Sequence, residues 1–260
     1  MERTKKSHIQ IPKFILRKFE NNEHRLHYLS IYDSKIYRGY AKTLNTKLGY
    51  YSNETEEILN IYVETPFSRV VEKILKHDFS SNLDITQKEN VIIKDFLVSL
   101  LSRNPKMYDE IINNSIFLQF MNIEDVEKHD FTVDMVMQYA RNLFDEYYVF
   151  LVKNITHLPF VLPMCGVYHF TYNDHNANIF PFSPEFAFML LPKELAVHWV
   201  KDNTRFVILI NDEQYIRKFN LYAYLEQKEM EYPTDVFGGW VASNNEDVLK
   251  LLALDIVANG

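Results

Sequence analysis

A chain of 260 residues with 47% hydrophobic and 15% aromatic content can bury a large core, which excludes a disordered protein and suits one domain spanning residues 1–260. Six glycines argue against Gly-rich phosphate loops, propellers and repeat barrels, and the lone Cys165 excludes a disulfide framework or a cysteine zinc site. A net charge of -7 makes the average surface repel nucleic acid unless a basic patch forms locally. The lone cysteine and the bias toward Lys, Asn, Ile, Tyr and Phe fit a cytoplasmic bacterial or phage protein.

The chain opens with a basic leader, "MERTKKS", followed by "HIQIPKFILRKF". Gln10, Pro12 and Lys13 break the apolar run and no small-residue cleavage site follows, so the segment is expected to be folded rather than a targeting signal. Pro12 suits a first helical turn with Phe14, Ile15 and Phe19 inward. "RLHYLSIYD" reads as a strand, "DSK" as a turn and "IYRGY" as its partner. A helix is expected from about Glu54 with Ile58, Ile61 and Tyr62 on one side, interrupted by Pro66 and resumed by Phe67, Val70, Val71 and Ile74.

"TQKE" at Thr86–Glu89 is a capping box, with Ile92, Ile93, Phe96, Leu97 and Leu100 on the apolar face behind it. That helix should stop near Arg103, before Pro105. Further helices are expected over 105–122, 133–153, 193–202, 211–230 and 245–255, with short strands and Pro-bounded turns over 158–192. The uncharged run from Asn154 to Asn173 contains Pro159, Pro163 and Gly166, so it reads as strands and a turn rather than a membrane span. The expected class is α+β, a largely helical centre framed by short antiparallel strands.

In order, "HIQIPKFILRKF", "LNTKLGYYS", "ETEEILNIYVETPFS", "LSRNP", "IFPFSP" and "ILIN" make a series. This series resembles the domain-of-unknown-function family 4238, a prokaryotic family with some members linked to anti-phage defence, over about residues 8–230; residues 231–260 form a C-terminal extension. The resemblance implies recurring roles for His8, Pro12, Phe14, Leu16 and Phe19, for Glu57 and Glu64, for Arg103 and Pro105, and for Ser183 and Pro184. It also implies an Asp near the turn where this chain has Met164, so a catalytic Asp there would be lost.

Glu57 and Glu64 lie seven residues apart, one face of a continuous α-helix, and Arg103 can meet them if the next helix packs antiparallel. With His8 they form a candidate acid–base or anion-binding cluster; the competing reading is a structural salt bridge. Arg17 to His24 matches a ribonuclease-like spacing, and Asp212 with Glu226 and Lys228 matches a metal-nuclease pattern, but both are short enough to arise by chance on exposed charges. His24 and His27 are poorly spaced for a metal on a strand, and His157 and His169 are expected to be buried core histidines, with His175 irregularly placed beside them. Cys165 reads as an inert small hydrophobe, and Ser183 as part of a Pro-locked turn.

Two functions follow. One is a defence or toxin-like effector acting on nucleic acid or a nucleotide through His8, Glu57, Glu64 and Arg103. The other is a non-catalytic sensor that recognises a phage or host protein through exposed aromatics. Whether the chain is an enzyme, which cofactor or metal it takes and its oligomeric state are not encoded in any recognisable pattern, and no membrane partner is expected.

Overall fold

A computed structural model describes residues 6–81, 83–104, 125–172, 175–200, 207–229 and 239–259. They form an α+β fold, as the patterning implies. Strand β1 (Lys6–His8) precedes helix α1 (Lys13–Leu16), for which Pro12 is the N-cap, and a 3-10 turn (Arg17–Phe19). Ile15, Leu16 and Phe19 are buried, while Phe14 is half-buried.

Strands β2 (Leu26–Ser30) and β3 (Ile36–Gly39) form the expected hairpin, with Ser34 in the left-handed region at its turn. Strand β4 (Thr46–Leu48) returns to pair with β1. Helix α2 (Asn53–Ile58) then runs into a π-helical segment, Leu59–Glu64, and continues as α3 (Thr65–Leu75). Helix α4 (Gln87–Ser102) carries the complete capping box, and α5 (Asp125–Phe144) packs against it.

Two expectations change here. Tyr147–Asn154, placed inside a helix by its apolar run, is strand β5, an interior strand of a five-stranded sheet. "YYVFLV" is aromatic and β-branched, and its two faces are both buried, which hides the period-2 signal that would mark a strand. Ile58, Ile61 and Tyr62 are exposed, and Thr55, Leu59 and Val63 face inward instead. A π-turn holds one residue more than an α-turn, so the helix leaves the phase that an unbroken α-helix would keep. Pro66 stands just after it and brings no N–H to the ladder. The expected helix over 105–122 lies outside the described residues, as does Pro105.

The remaining elements are β6 (Leu162–Pro163), β7 (Tyr168–Tyr172), β8 (His175–Pro181), β9 (Phe186–Pro192), α6 (Lys193–Val200), β10 (Val207–Ile210), α7 (Glu213–Glu229), β11 (Trp240–Ser243) and α8 (Glu246–Asn259). A five-stranded sheet runs β10-β5-β9-β8-β7, and a four-stranded one β3-β2-β11-β6. Only β10 with β5 is parallel in the larger sheet.

The larger sheet separates two cores. Val149 and Leu151 of β5 point into the first, with Phe67, Phe96, Phe180 and Phe188. Phe150 and Val152 point into the second, with Phe219 and Tyr224 of α7 and Leu249 of α8. In the first core Phe67 and Phe96 stack with centroids 3.7 Å apart. Gly166 closes the turn after β6 at φ +75°, and a Cβ there would meet Ile11 at 2.9 Å, so both the backbone and the packing require glycine. None of the described helices is long and apolar enough to cross a membrane.

Candidate functional site

A cleft of about 310 Å³ opens where β1 and α1 meet the π segment and the start of α3. His8, Lys13, Arg17, Glu56, Asn60, Glu64, Thr65 and Ser68 supply its polar lining, with Pro12 and Phe14. The local structure follows from the residues. Pro12 starts a short helix, and that turn sets Lys13 and Arg17, four apart, at the mouth. The π segment sets the opposite wall. An eight-residue separation puts Glu56 out of phase with Glu64 on an α-helix, and the wide turn brings the two to the same cleft.

Of the four residues singled out in sequence, three converge. Arg103, at the C-terminus of α4, donates from Nη2 to Glu64 Oε1 at 2.7 Å. Its side chain is 2% exposed and that of Glu64 is 24% exposed, so Glu64 lines the cleft while Arg103 is buried behind it, and the pair is not a surface bridge. Burial pulls the guanidinium pKa down, but the Glu64 carboxylate and buried Tyr51 outweigh it and leave the pKa raised. Tyr51 in turn donates from its hydroxyl to the Ile9 carbonyl, one residue beyond His8.

His8 is half-buried, and its Nε2 lies 2.9 Å from the Ala41 carbonyl oxygen. A carbonyl only accepts, so that nitrogen carries the proton and donates. Among the described residues Nδ1 has no hydrogen-bond partner and is left as an acceptor. Desolvation holds the imidazole pKa below its ordinary value; the Ala41 hydrogen bond and Glu64 pull it back up in part, and Lys13 and Arg103 push it down. The ring is thus a neutral base at neutral pH.

Glu57 does not join them. It is exposed and outside the cleft, and its neighbour Glu56 takes the place expected of it. The same-face argument assumed an α-helix throughout, and the π-turn breaks that assumption. Lys13 and Arg17 were overlooked, although an i, i+4 pair of cations in "PKFILRKF" was visible. Neither makes an ion pair among the described residues.

The other candidates disperse. His24 is exposed in a turn at φ 57°, where Asn21 Oδ1 accepts from the Glu23 and Arg25 amides. Asp212 accepts from the Gln214 amide at the start of α7, and Glu226 and Lys228 lie on that helix rather than on a strand pair. His157 and His169, expected in the core, are both exposed, His157 in a loop and His169 outward on the edge strand β7. The side chain of His175 lies outside the described residues.

Cys165 is buried, and burial pushes its thiol well above the ordinary range, which leaves it a poor nucleophile. Ser183 Oγ accepts from the Phe186 amide in the turn before β9. Met164 is wholly buried in the first core, an apolar position that adds nothing to the cleft. Among the described residues no three His, Cys, Asp or Glu gather to hold a metal. No family model, curated protein or solved structure matches the chain.

Proposed function

We propose that the cleft acts on a phosphate-bearing substrate, a nucleotide or nucleic acid, with His8 as general base. One observation carries this reading. Among the described residues, a histidine whose Nδ1 has no hydrogen-bond partner shares a cleft with two cations that make no ion pair, and with a carboxylate pinned by a buried arginine. Lys13 and Arg17 offer charge to phosphate oxygens, and the Asn60 side-chain NH2 offers hydrogen bonds, while the Thr65 and Ser68 hydroxyls donate to Asn60 Oδ1 and the Thr65 carbonyl.

In a hydrolytic step, water attacks phosphorus as its proton passes to His8 Nδ1, and the bond to the leaving oxygen breaks. The imidazolium so formed stands near the Glu64 carboxylate, whose charge favours it. Arg103 holds the Glu64 carboxylate in place through its Nη2 hydrogen bond; it is a positioning residue. The resemblance to family 4238 supplies the setting, a defence or toxin-like effector. The test is hydrolysis of nucleoside triphosphates and of oligonucleotides by wild type, His8→Gln and Lys13→Ala/Arg17→Ala. A base at His8 predicts a loss of about 10²-fold or more in rate for His8→Gln with melting at neutral pH preserved.

A second reading has its own observation. Ile58, Ile61 and Tyr62 are 45%, 48% and 71% exposed around the π segment, apolar surface that suits a protein partner. It predicts that Ile61→Asp/Tyr62→Asp abolishes activity in cells while leaving hydrolysis in vitro unchanged.

A further inference from the structure

The chain winds tightly after β3. There the Tyr40 carbonyl accepts from the Thr43 and Leu44 amides and from Thr43 Oγ1. The leading amide of such a turn has no partner within it and must find one outside. Ala41 holds that place and is wholly buried. Its amide donates to Glu20 Oε1 at 3.2 Å, and its carbonyl accepts from His8 Nε2 at 2.9 Å. A carboxylate on a backbone N–H is a charge-assisted bond, roughly twice as strong as a neutral one, so Glu20 is a firm anchor for this residue.

Glu20 also belongs to the opposite part of the cleft. It is the C-cap of the 3-10 turn that follows α1, where its amide donates to the Arg17 carbonyl. Through its backbone it thus joins the wall that bears Lys13 and Arg17, and through its side chain the loop that touches the histidine. The ring depends on that loop. Strand β1 has three residues, and its pairing of His8 with Thr46 fixes the backbone but not the imidazole. Which nitrogen carries the proton is set by the bond that the other nitrogen, or the same one, makes outside the strand.

We infer that Glu20 is a positioning residue for His8: it holds the Ala41 carbonyl against Nε2, which fixes the ring and its tautomer and leaves Nδ1 as the acceptor. Without Glu20 the loop can turn that carbonyl away, and the proton can move to Nδ1, the nitrogen that the proposed hydrolytic step needs bare. The other charges acting on the ring are Glu64, Lys13 and Arg103, and a substitution at Glu20 leaves all three in place. The inference rests on the proposed cleft chemistry for its purpose, but not for its test.

The experiment is long-range proton–nitrogen NMR of the full chain labelled at histidine, which reads the nitrogen that carries the proton, followed through a pH titration. It compares wild type, Glu20→Gln and Glu20→Met, each checked for folding by melting, and His8→Gln identifies the His8 signals by their loss. Both Glu20 variants keep the length of the side chain and remove its charge, but only Gln keeps an acceptor for the Ala41 amide. Wild type and Glu20→Gln should hold the proton on Nε2 above neutral pH. Glu20→Met should show both tautomers and a lower titration midpoint, because the Ala41 bond favours the protonated ring. In hydrolysis Glu20→Met should lose kcat at unchanged KM, by less than His8→Gln loses, and Glu20→Gln should restore it. A wild-type tautomer and midpoint in Glu20→Met, a Glu20→Gln that behaves like Glu20→Met, or a proton on Nδ1 in wild type each overturns the inference. If Glu20→Met moves the proton while His8→Gln hydrolyses like wild type, the positioning stands and the cleft reading fails. If His8→Gln is inactive and Glu20→Met keeps the wild-type rate, the cleft reading stands and the positioning fails.

Discussion

The two cores on either side of the large sheet bury titratable groups in different ways. The second holds Cys165 and Tyr168, both pushed far toward their neutral forms by burial and both enclosed by apolar side chains. Its buried amide, Asn220, is spent on architecture, accepting from the Val161 amide and donating to the Pro159 carbonyl. At the edge of the first core, Arg103 is as deeply buried but keeps its charge against Glu64, and beside them His8, whose Nδ1 has no hydrogen-bond partner among the described residues, lines a cleft with two cations. Burial alone therefore does not mark a site. What separates the regions is convergence of unlike groups with bonding capacity left over.

Substitutions sharpen that difference. Phe160→Ala, in the second core, should cost about 3–5 kcal/mol by leaving a cavity, with normal turnover in whatever fraction folds; chemical denaturation beside activity per folded molecule checks both. Glu64→Ala should cost about 3 kcal/mol because it strands the buried Arg103 charge, and Glu64→Leu/Arg103→Met should recover most of that stability without recovering activity. A double variant that is as unstable as the single one would contradict a simple buried pair.

The pH dependence has the sign opposite to that of a histidine held charged by a salt bridge. His8 and His27 are both held below their unfolded value of 6.5, chiefly by desolvation. The unfolded chain then binds more protons. Their contribution is complete above pH 6.5 and is lost as pH falls through the lowered folded values. Thermal melting should therefore drop on acidification below that point, and His8→Gln should flatten part of the drop. Smaller again, Thr86→Ala removes the capping-box acceptor for the Glu89 amide and should cost about 1 kcal/mol in urea unfolding. Smallest is Glu57→Ala, an exposed carboxylate outside the cleft, which should leave melting and turnover at wild-type values. A large loss there would restore the heptad-spaced pair.

Much of this organisation was legible in the residues because it is local. The capping box, the β2–β3 hairpin and the stop at Arg103 depend on neighbours in sequence, and each is where its pattern placed it. So is the meeting of Arg103 with Glu64, since it needs only two antiparallel helices. What was not legible is set by tertiary context. The π-turn shifts phase by one residue and exchanges Glu57 for Glu56, and no residue type announces it beyond Pro66 downstream. Strand β5 is buried on both faces and looks like a helix of apolar residues. Strands β10 and β11 were overlooked because four residues are too few to show a period. Lys13 and Arg17 become site residues only when the π segment closes over them.

The central claim is that His8 is a working base in a phosphate-binding cleft. Its most direct test is the pH–rate profile for cleavage of a single-stranded oligonucleotide by wild type and His8→Gln, with folding verified at each pH. The account predicts an acid limb below pH 6.5 in wild type and a rate at least about 10²-fold lower in the variant at pH 7. Equal rates in two folded proteins, or no cleavage by wild type at any pH, would contradict it and leave the cleft as a structural ion pair.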